Sequence, residues 1–515
     1  MHSKKYCMSK RHKNHSLVKF RFFSFLLLAV FIVSTAACQK SEKSESPQLN
    51  EKILRIENSL SPRLFIIGET EKANILSRME HYKVPGVSVA VINNFKIEWA
   101  KGYGTKDVET TAPVDTETLF QAASISKPVA ASAALHYVDE GLLDLDQDVN
   151  VKLVSWKVPE NDFTVEKKVT LNGLLSHSAG LTVHGFPGYA QGREIPTLTQ
   201  ILNGEKPANT APIRVDIIPG SYRYSGGGYT VMQLLLIDVF KKPFPVQLKE
   251  TVLDPVGMKR STYEQPLPEL LQDNAAVGHR RNNKPIKGKW HTYPEMAAAG
   301  LWTTPSDLCK FAIELMQSRA GRSNKLLSQA MTHEMLTAVG SGGTYGLGLS
   351  LIGADDEFSF GHGGSNEGYR CYLVAYPEKG QGAAIMTNSD TGGQVIEEIR
   401  CALAAEYGWK NLLPVEKNML SLDEEALKKY AGKYMFASGT ISEREITITV
   451  AIKDNHLIIK GPLPELPLDI YPESETKFFA TVMGMTMTFS FDEGGSVTAM
   501  TVHVGGQSVP AQKIE

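Results

Sequence analysis

The register of apolar and polar positions divides the chain into distinct stretches. In "TEKANILSRMEHY" (70–82) apolar residues recur at helical spacing. "VPGVSVAVINNFKIEWAKGYG" (84–104) alternates instead, with a turn at Asn93–Asn94 and a second strand carrying Ile97 and Trp99, so a hairpin is predicted. "KPVAASAALHYVDEGLLDLDQDV" (127–149) reads as helix up to Gly141. From about 150 to 310 the pattern is helices and long loops rich in Pro and Gly. Strand character returns at 345–353, 368–377 and 382–389, and "GGQVIEEIRCALAAEYG" (392–408) is helical. One sheet built from two ends of this region, with helices inserted between them, predicts an α/β sandwich carrying an all-helical subdomain. Ligands in such a layout sit at the boundary between the two.

The pattern changes after "NLLPVEKN". From about 421 to 515 a short helix precedes alternating segments such as "EITITVAIKDNHLIIKG" and "SVTAMTVHVGG", with Asn, Asp and Gly at the turns. This predicts a small antiparallel β-barrel or sandwich. At the other end, a basic segment precedes "FFSFLLLAVFIV" (22–33), which has the length of a signal-peptide core and is short for a membrane span. It runs into "STAACQK", where small residues precede Cys38. That resembles a bacterial lipobox, with Thr35 where leucine is usual, and implies lipidation of Cys38 after cleavage. Residues 1–38 are therefore expected to be a lipoprotein-type signal peptide and 39–69 a polar tether. A simple secreted protein or an uncleaved anchor is the alternative. The expected location is exported, periplasmic or anchored to the outer membrane, with membrane attachment through the lipid.

Composition adds exclusions. A net charge of −2 leaves no basic excess for nucleic acid, so no such partner is expected. Five cysteines in 515 residues make no disulfide framework, and none shows metal-ligand spacing. Cys309, Cys371 and Cys401 are expected to be buried thiols, with a Cys371–Cys401 bridge as the alternative. No metal and no cofactor are expected.

Three segments carry candidate chemistry. "AASISKP" (122–128) places Ser124 three residues before Lys127 at a predicted helix start. Residues three apart share a helix face, so the amine can reach the hydroxyl. A serine needs such a base to act as a nucleophile. Burial lowers an amine's pKa and lets it take a proton, and a helix N-terminus favours an oxyanion. An N-capping serine beside a solvated lysine would look the same. In "PGSYRYSGGGYTVMQLLL" (219–236) a Gly-rich turn follows Tyr224 and Ser225. A bend at Gly226–Gly228 would push Tyr224 into a cleft, where a nearby ammonium would lower the phenol's pKa. In "FGHGGSNEGYRCYLVAYP" (360–377) His362, Gly363 and Gly364 open a predicted strand, and the Ser365 N–H could share an oxyanion with the Ser124 N–H. His177 and His184 flank a loop near the expected cleft, with a structural role as the plainer reading. His279 and His291 have no partner at metal-ligand spacing.

Taken in order, Ser-x-x-Lys, Tyr-Ser-x and His-x-Gly resemble the serine β-lactamase/penicillin-binding group, and most closely its class C β-lactamase-like family. That family also contains D-alanyl peptidases, D-aminopeptidases and esterases. The resemblance extends to "VPGVSVAVI", "LLSHSAGLTVHG" (174–185), "VLDPVGMKRSTYEQ" (252–265) and "MAAAGLWTTPSDLCKFA" (296–312). It implies an α/β sandwich of β-lactamase/DD-peptidase type with a helical subdomain over 70–412, followed by a lipocalin-like β-domain over 421–515. It implies Ser124 as acylated nucleophile, Lys127 as its proton-network partner and Tyr224 as general base. The N–H groups of Ser124 and Ser365 would form the oxyanion hole. His362, Gly363, Gly364 and Ser225 would bind substrate, with His362 bonding Tyr224 or a substrate carboxylate.

Two departures weigh on the substrate. Tyr224-Ser225-Gly226 stands where the family has Tyr-x-Asn, and His-Gly-Gly where β-lactamases of the group have Lys-Thr-Gly. Both weaken the case for efficient β-lactam hydrolysis. The expected activity is therefore acyl-enzyme hydrolysis of a small ester, amide or D-amino-acid-containing peptide. A true β-lactamase or cell-wall DD-carboxypeptidase is the alternative enzyme. A non-turnover acylated sensor is the alternative outside enzymes. The C-terminal domain is expected to be a lid or spacer.

Overall fold

The computed structural model describes residues 46–68, 72–340, 343–438, 440–441, 444–463, 466–481, 484–504 and 507–515. The expected signal segment 1–38 and Cys38 lie outside these residues. Among the described residues no helix is long and apolar enough to cross a membrane.

The tether expected over 39–69 is corrected from Pro47 onward. Helix α1 (Pro47–Glu57) buries Ile53 and Ile56, and strand β1 (Leu64–Ile66) follows it. The polar residues of "PQLNEKILRIE" hide an amphipathic stripe, which packs on the main sheet's outer face. Helix α2 (Ile75–Tyr82) then leads into strands β2 (Gly86–Asn93) and β3 (Lys96–Gly104). Their turn uses Asn94 and Phe95, both at positive φ, one residue later than the sequence suggests.

Helix α3 (Ser126–Asp139) and helix α4 (Gly226–Phe240) are apolar on nearly every side and run through the interior. Helix α5 (Pro305–Arg319) is capped by the Thr304 side chain, which accepts from the Asp307 N–H. Four strands return to the sheet: β4 (Ser350–Ile352), β5 (Ser359–Asn366), β6 (Tyr369–Tyr376) and β7 (Gln381–Thr387). The strand expected over 345–353 shrinks to three residues. The His-Gly-Gly segment lies inside β5 instead of opening a strand. Helix α6 (Gly392–Tyr407) closes the region.

The six-stranded sheet has the order β3-β2-β7-β6-β5-β4 and is antiparallel throughout. Alternation along β2 assigns its two faces. Ala90 and Ile92 join the core shared with α3, α4 and α5, while Val87, Val89 and Val91 join the core under α2 and α6. Buried on both faces, this strand reads as an almost unbroken apolar run. Cys309, Cys371 and Cys401 are free and buried, so the Cys371–Cys401 bridge does not form.

Strand β8 (Val415–Lys417) pairs in parallel with β1. Helix α7 (Glu424–Lys428) then introduces eight antiparallel strands that close into a barrel: β9 (Gly432–Phe436), β10 (Ile446–Lys453), β11 (His456–Lys460), β12 (Leu468–Pro472), β13 (Lys477–Phe479), β14 (Thr486–Phe491), β15 (Val497–Val504) and β16 (Gln507–Lys513). Closure leaves no free sheet edge. Tyr430, Tyr434, Phe478 and Phe489 pack edge to face in its core, and Phe479 on its outside meets Leu64 and Ile66.

Candidate active site

Ser124 sits in a single 3₁₀ turn (Ala123–Ile125) directly before α3. Ala123 adopts a left-handed φ of 49°, a strained setting for a residue with a Cβ. Gly364 explains why the turn is held there. A Cβ on Gly364 would stand 2.3 Å from the Ala122 carbonyl oxygen and 2.4 Å from Cys371 Sγ. Only glycine lets β5 press this closely on the Ser124 turn. Lys127, in the first turn of α3, donates from Nζ to Ser124 Oγ at 3.0 Å and to the Ala298 carbonyl at 2.8 Å. Tyr224 hydrogen-bonds the same Ser124 side chain. Residues singled out from two separate segments, 122–128 and 219–236, therefore meet at one hydroxyl.

The electrostatics reverse one expectation. Lys127 is 2% exposed, and burial pushes its amine down to about 7. Its charged form faces the rings of Tyr224 at 5.0 Å and Tyr229 at 5.8 Å, and no carboxylate offsets the burial. The Tyr224 phenol moves up, not down: burial is the larger effect, and the bond with Ser124 only partly offsets it. The expectation of an acidified phenol is thus corrected, because burial of the phenol outweighs the bond that would lower it.

Ser124 and Tyr224 line an open cleft of about 810 Å³ together with His184, Phe186, His362, Gly363, Gly364 and Ser365, while Lys127 is buried behind Ser124. Arg370, Tyr372 and Arg400 form its further wall. His362 Nδ1 meets the Gly363 carbonyl at 2.5 Å, which can only accept, so Nε2 accepts from the Tyr345 hydroxyl at 3.1 Å. Burial and the nearby Lys127 push this imidazole down to about 4. His362 is therefore neutral and bonded to Tyr345, not to Tyr224, and it has no free N–H for a carboxylate.

Ser225 is also corrected as a substrate contact. It is buried, its Oγ donates to the Thr182 carbonyl at 2.7 Å and accepts from the Gly228 N–H at 2.9 Å, and it caps α4. Gly226–Gly228 form the first helical turn and do not bend the chain. A Cβ on Gly226 would meet the His184 carbonyl and the Phe186 ring, both at 3.1 Å. The space an asparagine would need is filled by the 184–186 segment.

Sequence reasoning passed over Tyr345 and gave His177 a bland reading. His177 is 2% exposed and stacks on Tyr224 with ring centroids 4.1 Å apart. Its presence in "LLSHSAGL" was the available signal; nothing in "GGTYGLGLS" marked Tyr345. His279 and His291 stay apart from the cleft, bonded to the Asn388 and Pro187 carbonyls. Among the described residues no group of three His, Cys, Asp or Glu could hold a metal.

A serine hydroxyl, a buried amine and a tyrosine thus gather at the junction of a sheet and a helical subdomain. Residues 72–405 match the family described as Beta-lactamase, and the chain belongs to that family. Residues 417–513 match a domain of unknown function, DUF3471. Among curated relatives, Protein flp of Staphylococcus aureus (strain N315) is 23% identical over 318 residues, covering 59% of this chain and 60% of that protein. The chain thus spans 60% of the length of that relative. Penicillin-binding protein 4 of Amycolatopsis lactamdurans is 27% identical, covering 60% of this chain and 82% of that one. In fold, the chain is similar to the octameric penicillin-binding protein homologue from Pyrococcus abyssi, with a TM-score of 0.57 at 24% identity, covering 85% of this chain and 98% of that one. A class C beta-lactamase gives 0.51 at 22% identity, covering 63% and 93%.

Proposed function

We propose that this protein is a serine hydrolase working through an acyl-enzyme at Ser124, on a small ester, an amide or a D-amino-acid-containing peptide. The observation that carries the reading is the 3.0 Å contact from Lys127 Nζ to Ser124 Oγ beside an open cleft. In the neutral form that burial favours, Lys127 takes the Ser124 proton as the hydroxyl attacks the acyl carbon. Tyr224, held protonated, donates to the departing group. The N–H groups of Ser124 and Ser365 stabilise the oxyanion. Water then releases the acyl group by the reverse proton route.

Gly226 and neutral His362 favour esters and peptides over β-lactams, since the side-chain amide and the fixed cation are both missing. Penicillin-binding names among the relatives keep a β-lactamase or DD-carboxypeptidase as the second reading. A sensor that stays acylated is the reading outside enzymes. Export and a lipid anchor on Cys38 complete the proposal, with the protein acting at a membrane surface.

The test is a fluorophosphonate label combined with a panel of short-chain esters, D-Ala-D-Ala peptides and a cephalosporin. Labelling of Ser124 with ester or peptide turnover is expected. Labelling without turnover on any member points to the sensor. Wild-type turnover by Ser124→Ala would overturn the mechanism.

A further inference from the structure

His177 holds the tyrosine segment from both sides. Its carbonyl accepts the Arg223 N–H at 2.7 Å, and its Nδ1 accepts the Ser225 N–H at 3.0 Å. Tyr224 lies between those two donors, with its ring against the imidazole at 4.1 Å and a 36° tilt. The same loop takes further bonds from the segment: Arg223 Nε and Nη2 donate to the Leu181 and Gly180 carbonyls at 3.1 and 2.6 Å. His177 reaches this position in a left-handed conformation, φ 58°. A residue with a Cβ holds that setting only where its surroundings compel it.

Because Nδ1 accepts, the ring proton is on Nε2, which is buried with no partner. The groups facing the ring are Lys127, His184 and His362 and the phenols of Tyr222, Tyr224, Tyr229 and Tyr345. None of these is a carboxylate. Burial and the adjoining cation push the imidazole well below its ordinary value. A protonated ring would turn a second N–H toward that of Ser225 and break the grip.

We infer that His177 is the positioning residue of this site: its carbonyl, Nδ1 and ring face together fix the backbone and ring of Tyr224 against Ser124. This rests on the proposed role of Tyr224 in proton transfer. The clamp acts on catalysis and not on substrate affinity, since His177 does not line the cleft.

The experiment compares His177→Asn, His177→Gln, His177→Phe and His177→Ala in the full chain, with kcat and KM on a short-chain ester and melting temperature for each. Asparagine sets its amide oxygen near the place of Nδ1 and tolerates left-handed backbone. Glutamine sends its oxygen toward the place of Nε2. Phenylalanine keeps the ring face without the acceptor. Loss of a buried N–H partner carries a factor of about 10 to 100, so kcat is expected to fall by that much in the Phe, Ala and Gln variants. KM should stay within about threefold. Asparagine should restore kcat to within several-fold of wild type. Wild-type kcat in His177→Phe, or Asn no better than Gln, overturns the inference. If Phe and Ala fail to fold, the Asn and Gln pair decides it alone. Ser124→Ala in the same assay separates the two claims: turnover surviving there defeats the acyl-enzyme reading, whereas a dead Ser124→Ala beside a wild-type His177→Phe defeats only the clamp.

Discussion

The two domains each contain a hollow walled by antiparallel strands, and the hollows differ in kind. The cleft of about 810 Å³ has serines, phenols, imidazoles and two guanidinium groups on its walls, with the Lys127 amine buried behind Ser124. The barrel cavity of about 260 Å³ is lined by apolar side chains, among them Phe436, Ile448, Ile459, Leu468 and Met487. Strand alternation produces the second hollow, because the inward positions of this barrel are apolar. The first needs interruptions of regular backbone. Ala123 and His177, both left-handed, bring polar groups into a core that alternation would have made apolar. Chemistry here resides where the regular pattern is broken.

Ser124→Ala should break that contrast most severely. Fluorophosphonate labelling is expected to vanish and ester turnover to fall by roughly 10⁴-fold or more, with far-UV circular dichroism unchanged. Lys127→Met should remove turnover almost as fully and raise the melting temperature at pH 7. The reason is that a lone buried amine costs stability, about 1.4 kcal/mol per unit of pKa displacement. The sign follows from linkage. The folded amine lets go of its proton near 7 and the unfolded one near 10.5, so the unfolded chain binds more protons between those values. Stability should rise with pH across that window in the wild type, and this contribution should be absent in Lys127→Met, as measured by urea melts. In the proposed mechanism, wild-type kcat/KM also climbs through pH 7.

Gly364→Ala should be next, because its Cβ collides with the Ala122 carbonyl and Cys371. A loss of about 1–3 kcal/mol in denaturant melts is expected, with activity falling further than stability as the nucleophile turn shifts. The smallest effect should come from filling the barrel. Met487→Phe should leave ester turnover within twofold of wild type and change stability by less than about 1.5 kcal/mol. A large drop in turnover would show that the two hollows are coupled after all.

The sheet was legible in the chain because its strands and turns are marked: "VPGVSVAVINNFKIEWAKGYG" was read as a hairpin, although burial of β2 on both faces appears only in the structure. The meeting of Ser124, Lys127 and Tyr224 was legible through order and motif. What could not be read was the environment. The direction of the Tyr224 shift depends on desolvation, which no local pattern records. His362 bonds Tyr345 through the folding of a loop, and Gly226 owes its identity to the 184–186 segment crossing above it. The N-terminal segment misled for the opposite reason. Its polar surface is real, but Ile53 and Ile56 occupy the one stripe that matters.

The strand order has a consequence for how the chain comes into being. Val87 pairs with Thr387, so β2 waits beside an empty edge until three hundred further residues have been made. Gly364, which presses on the Ser124 turn, also belongs to that late section. Loop-closure entropy makes such distant pairing slow. A nascent chain halted before β5 therefore carries the serine and its lysine without the strands that set their geometry. The surroundings of Ser124 and Lys127 are thus completed only as the last strands of the sheet dock.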